Sequence, residues 1–134
     1  YVSPMSALLL GALAAFPSYF GLIYRAKTNL DDSLDVVAAH GLGGTVGALL
    51  TGVFAQKSIN GVADGLLFGN PGQLWTQFVA IAAAIVYSGV LSFVLLKLVG
   101  LMFPLRASDE DETVGLDVSM HGEEAYDTGG TEAA

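Results

Sequence analysis

The sequence predicts an all-α membrane fold with a polar tail, and three observations carry that prediction. The chain has 134 residues, of which 53% are hydrophobic and only 13% charged, with a mean hydropathy of +0.60. A soluble domain of ordinary composition carries about 25% charged residues. The deficit is concentrated: residues 1–24, 36–56 and 65–96 contain no Asp, Glu, Lys or Arg at all. Each run reaches the roughly 20 residues that a helix needs to cross a hydrocarbon core.

The first span is expected over about residues 4–24. Pro17 lies inside it, where a missing backbone N–H should kink the helix, as membrane helices tolerate. Arg25 and Lys27 close the segment. In the polar link that follows, Asp31, Asp32 and Ser33 are all N-cap residue types, and Asp35 is expected in the first turn of the next helix, complementing its dipole. That second span runs over about 34–55. Residues 56–74 read as a loop, because Gln56, Lys57, Asn60, Gly61, Asp64, Gly69, Asn70 and Pro71 are polar or turn-forming. The third span is expected over about 74–103, with Trp75 at its start suited to the membrane interface. Pro104 and Arg106 end it. At about 1.5 Å per residue it is long enough to require tilt or extension past the bilayer.

These boundaries divide the chain into a transmembrane region, 1–106, and an acidic tail, 107–134. The tail is polar and glycine-rich without apolar period, and reads as a flexible segment unless docked. Its Asp109–Glu112 run is most simply a solvated spacer. The formal charge of −8 argues against nucleic acid as a partner. With no cysteine there is no thiolate metal site or disulfide framework. The chain opens at Tyr1 inside an apolar run, with no basic segment ahead of it, so the expectation is that an N-terminal part precedes it. Arg25, Lys27, Lys97 and Arg106 fall on one side of three antiparallel spans and Lys57 on the other, which predicts a cytoplasmic tail.

One ionisable group stands out inside a span. His40 follows Asp35-Val36-Val37-Ala38-Ala39, and on an ideal helix it shares a face with Val36, Gly43, Gly44 and Gly47. Gly43 and Gly47 form a small-xxx-small pair that lets another backbone approach closely. Two readings of His40 stand at this point: a neutral imidazole bonded across helices, or one lining a narrow path and able to relay a proton. No second ligand lies at i+3 or i+4, so a metal site is not expected. Asp35 lies roughly 140° around the helix from His40, and a helix-capping carboxylate is its simplest role. His121, in the polar tail, is expected to be solvated or docked.

The stretch from Asp31 through His40-Gly41-Leu42-Gly43-Gly44 to Ala55 resembles the tenth helix of ammonium transporters of the Amt/Mep family. The segment Gly115-Leu116-Asp117-Val118-Ser119-Met120-His121-Gly122-Glu123-Glu124-Ala125-Tyr126 is similar to that family's cytoplasmic tail motif. Together they cover nearly the whole chain, and the three spans would be the ninth to eleventh of eleven. Val37 and Ala38 depart from the usual aromatic and glycine. The resemblance implies a homotrimer in a plasma membrane, with a separate ammonium or ammonia pore in each subunit and no cofactor. His40 would supply one of two mid-pore histidines, Val36 the cytoplasmic pore wall, and Asp35 an acidic position near the cytoplasmic vestibule. Gly115, Asp117, Ser119, His121, Gly122 and Tyr126 would belong to a regulatory tail, with Ser119 where some relatives carry a regulatory threonine. A PII-class signalling protein at the cytoplasmic face is a further implied partner. No covalent chemistry, and hence no enzyme, is implied. The alternatives are an ammonium sensor on the same scaffold, a Rhesus-type relative, and a three-helix fragment inactive by itself.

Overall fold

In the computed structural model, which describes residues 1–125, every regular element is helical among the described residues. Helix α1 spans Pro4–Arg25. Ser3 caps it, its hydroxyl accepting from the Ser6 N–H at 3.1 Å, and Pro4 occupies the first turn, where no N–H is needed. Pro17 lies inside α1 and leaves the Leu13 carbonyl without its usual donor. The Thr28 hydroxyl donates to the Arg25 carbonyl at 2.8 Å and helps to close the C-terminal turn.

The second span is not one regular helix. One turn of π-helix, Val37–Leu42, leads into α2, Gly43–Phe54. A π turn inserts an extra residue into the i→i−4 ladder, and such turns are rare in ordinary helices. Contacts pair the segment antiparallel with α1. A Cβ built on Gly21 would lie 2.5 Å from Leu42 Cδ1 and 3.2 Å from Ala38 Cβ, while one on Gly43 would lie 2.6 Å from Ser18 Oγ. Further along, a Cβ on Gly47 would meet Leu10 Cδ2 at 3.8 Å. Small residues on both partners therefore set the close approach, as expected where lipid supplies little hydrophobic drive between helices.

Between the second and third spans the chain forms a hydrogen-bonded knot instead of an open loop. Helix α3, Lys57–Asn60, ends at Gly61 in the left-handed region (φ 71°), and a 3-10 turn, Leu66–Phe68, ends at Gly69 (φ 91°). Neither turn is long enough to show a period in the sequence. Asn60 ties the knot: its Oδ1 accepts from the Val62 and Ala63 N–H groups at 2.6 and 2.9 Å, and its Nδ2 donates to the Ala63 carbonyl at 2.8 Å. Asp64 Oδ1 accepts from the Lys57 N–H at 2.7 Å.

Helix α4, Gly72–Gly100, is 29 residues long. Among the described residues, α1, the Val37–Phe54 segment and α4 are the three helices long and apolar enough to cross a membrane. Their large side chains are overwhelmingly exposed: Phe16, Phe20, Trp75, Ile85 and Phe93 are all more than half exposed, and among the described residues the buried apolar ones are the small Ala38 and Ala55. An apolar surface of that extent belongs against lipid or other protein, not water. Two compact units are distinguished, residues 1–88 and a second beginning at Gly89.

Within the described tail, the acidic run read as a spacer forms the start of α5, Asp109–Val114. Ser108 caps it, its hydroxyl accepting from the Asp111 N–H at 3.1 Å, and four carboxylates in the first turn complement the helix dipole.

Candidate functional site

His40 sits in the π turn, and the antiparallel pairing places it between the levels of Gly21 and Ser18 on α1. The side of the turn facing α1 is taken by Ala38, which is 3% exposed. His40 is itself exposed, and among the described residues its imidazole has no hydrogen-bond or ion-pair partner. The extra residue of the π turn changes which side chains share a face. Gly43 turns toward Ser18, whereas a Cβ on Gly44 would meet nothing within 4 Å. Val36, 48% exposed, immediately precedes the turn.

The entrance to the turn is built by two carboxylates. Asp32 accepts from the Val36 N–H through Oδ1 and from the Val37 N–H through Oδ2, both at 2.9 Å. These bonds, the Val37 one foremost, hold the Asp32 carboxyl below the usual carboxylate range. Asp32 thus satisfies donors that the helix start leaves without partners. Asp35, expected in the first turn, precedes it in the left-handed region (φ 54°), the single non-glycine residue with positive φ among the described residues. Its carboxylate forms an ion pair with Arg25, the last residue of α1. Beside this pair a cleft of about 340 Å³ opens between α1 and the π turn, lined by Gly21, Tyr24, Arg25, Val37, Ala38 and Leu42. Arg25 and Asp32 were legible only as a span end and a possible cap. Their action on the turn is three-dimensional: Asp32 caps it, and Arg25 reaches it through Asp35, ten residues further on.

The tail motif folds on Asp117. Its Oδ2 accepts from the Ala125 N–H at 2.9 Å and its Oδ1 from the Val118 N–H at 3.0 Å, closing a loop over residues 117–125. The Ala125 bond first, then the Val118 bond, lower the Asp117 pKa from its ordinary 3.8. Gly115 (φ 108°) and Gly122 (φ 73°) take positive φ on the two sides of a short π turn, Asp117–His121, and Gly122 closes it in the left-handed conformation. Ser119 lies within that turn, its N–H donating to the Gly115 carbonyl at 2.9 Å. His121 is exposed, with Nδ1 3.3 Å from the Leu116 carbonyl oxygen. Tyr126 lies outside the described residues.

Because its folded pKa is lowered, Asp117 adds stability to the closed loop above its unfolded pKa. That contribution is lost as pH falls through the folded value. Hydrogen exchange of the Ala125 amide is therefore expected to stay protected through the usual carboxylate range and to lose protection only below it. Asp117→Ala should remove the protection at pH 7. Equal exchange in the wild type and the variant at pH 7 would show that the carboxylate does not close the loop.

Three helices of membrane-spanning length and composition, with His40 set in an otherwise charge-free span, define an α-helical membrane protein. The sequence model of the Ammonium Transporter Family matches residues 1–126, and the chain belongs to that family. It is 42% identical over 128 residues to an ammonium transporter of Bacillus subtilis, covering 94% of this chain and 32% of the relative. Ammonium transporter Amt1 of Archaeoglobus fulgidus is 40% identical over 126 residues, with the same two coverages. An ammonium transporter of Aquifex aeolicus is 42% identical over 127 residues, covering 94% of this chain and 30% of that protein. The chain thus spans about a third of the length of these relatives.

Proposed function

We propose that the protein containing this chain takes up ammonium across a membrane, and that this chain contributes His40 to the conducting path. The observation that carries the reading is the imidazole itself: an exposed histidine, without a partner among the described residues, in an otherwise charge-free span of a chain belonging to the Ammonium Transporter Family. Ionisable groups within spans face a bundle interior or a water path, because lipid solvates them poorly. Ammonium moved intact through an apolar slot would lose its hydration at great cost. A path in which neutral ammonia passes and the proton moves through histidines avoids most of that penalty. His40 pairs with a second histidine elsewhere in the protein, at mid-pore. Val36 lines the cytoplasmic side and Asp35 the vestibule. Gly43, Gly44 and Gly47 serve helix packing.

The assembly we propose is a homotrimer in the plasma membrane with the tail cytoplasmic, in keeping with Arg25, Lys27, Lys97 and Arg106 opposite Lys57. The tail residues Gly115, Asp117, Ser119, His121, Gly122 and Tyr126 regulate transport, and a PII-class protein is the partner proposed at the cytoplasmic mouth. The protein catalyses no covalent chemistry.

The test is uptake of labelled methylammonium, with growth on limiting ammonium, in cells lacking their own transporters and expressing the full-length protein. Accumulation well above vector controls is expected. A protein that reaches the membrane and accumulates nothing overturns the transporter reading and favours an ammonium sensor on the same scaffold.

A further inference from the structure

We propose that Arg25 is a positioning residue that holds the His40 segment in its π register. The proposal begins with Asp35. Its left-handed backbone is one that side-chain-bearing residues adopt at a steric penalty, tolerated best by Asn and Asp. A residue stays there when its surroundings fix it. Two features fix it here. The Asp35 N–H donates to the Asp32 carbonyl at 3.1 Å, and its carboxylate is ion-paired with Arg25. Both side chains of that pair are about 30% exposed, so the charges are only partly screened.

The consequence is carried one turn further by the backbone. The Asp35 carbonyl accepts from the Ala39 N–H at 2.8 Å, and Ala39 precedes His40 directly. Ala38 is packed against Gly21, four residues before Arg25 on α1. The turn is thus anchored to α1 at two points, the ion pair and the Ala38–Gly21 contact. The π turn runs from Val37, just after the ion pair, to Leu42, which also lies against Gly21, and it accommodates one residue more than an α-helical turn takes up. Without Arg25, Asp35 can return to the right-handed region and the segment can continue as ordinary α-helix. Each residue of an α-helix turns about 100°. Shedding the extra residue would therefore swing His40 by about that angle relative to Gly43–Phe54. A side chain placed for proton transfer does not survive such a rotation.

This inference rests on the proposed role of His40, but its primary readout does not. The full-length protein, its Arg25→Gln form and an Arg25→Gln/Asp35→Gly form are to be compared by cryo-electron microscopy. Glycine takes the left-handed conformation freely, so the double variant should hold the turn without the ion pair. The expected result is loss of the π turn in Arg25→Gln, with His40 rotated, and its return in the double variant. Methylammonium uptake should follow in the single variant: at least tenfold slower at saturating substrate in Arg25→Gln, with KM within twofold. If Arg25→Gln is not recovered from membranes, the double variant alone decides, since an intact π turn in it is required. A π turn unchanged in Arg25→Gln, or absent from the double variant, overturns the proposal. Failure of the wild type to transport would strike the proposed function and leave the structural comparison standing.

Discussion

Replacing His40 by alanine in the full-length protein is expected to reduce methylammonium uptake about a hundredfold or more, with the protein still reaching the membrane. The size follows from what a positioned acid–base group contributes to proton transfer, about 10²–10⁴-fold. Alanine removes the only ionisable side chain between Asp35 and Lys57. Two roles for the imidazole are separated by a second substitution. Asparagine carries a donor and an acceptor of comparable reach, so it can replace a hydrogen bond across helices, but it does not titrate near neutral pH. If His40 relays protons, His40→Asn should transport no better than His40→Ala, or should carry substrate with altered charge movement. Uptake and current measured together in cells or proteoliposomes distinguish these results. Wild-type uptake and current in His40→Asn, with poor membrane content of His40→Ala, would identify a packing histidine and remove it from the conducting path.

The same residue shows how far the sequence reaches. His40 is conspicuous because a charge-free run leaves a single imidazole nothing to hide behind, and the spans are conspicuous because lipid demands about twenty apolar residues of each. Charges, prolines and capping residues marked where the helices end, and the helices Pro4–Arg25, Val37–Phe54 and Gly72–Gly100 end near those marks. The π turn was not marked in this way. Its residues, Val37–Leu42, carry no pattern that distinguishes a ladder with one extra residue from an α-helical one. A face drawn at 3.6 residues per turn therefore grouped His40 with Gly43, whereas Gly43 faces Ser18 and His40 is exposed. Asp35 illustrates a second limit. A carboxylate three residues beyond Asp32 reads naturally as a first-turn residue, and its left-handed backbone is fixed by Arg25, ten positions earlier in sequence and adjacent only after α1 and the π turn have packed. Helices of four and six residues, α3 and α5, are too short for periodicity to reveal. Their capping residues, Gly61 and Ser108, are the signal that was available.

The largest effect on stability is expected at Gly65, where the loop knot meets the end of α2. Gly65 is buried, and its φ of −95° is open to any residue, so its backbone conformation does not demand glycine. What demands it is space. A Cβ there would stand 2.7 Å from the carbonyl oxygens of Gly52 and Val53 and 2.8 Å from the Ala55 nitrogen, all backbone atoms of the last turn of α2 or its cap. No side-chain rotation relieves such a clash. The knot must move away, and in moving it loses the bond from the Gly65 N–H to the Ala55 carbonyl, 2.7 Å long. Overpacking of this kind costs about 1–3 kcal/mol, and a lost internal hydrogen bond about 1 kcal/mol more. Gly65→Ala is thus expected to destabilise by roughly 3 kcal/mol, at the upper end for a single methyl group. Gly61 provides the contrast within the same connection. Its φ is 71° and a Cβ would meet nothing within 4 Å, so its requirement is conformational and Asn can meet it. Gly61→Asn should then lie within about 0.5 kcal/mol of the wild type. Unfolding midpoints of the full-length protein in detergent, read for both variants, make the comparison. Similar midpoints for Gly65→Ala and Gly61→Asn would mean that the knot yields freely and that its close contact with α2 does not hold the connection in place.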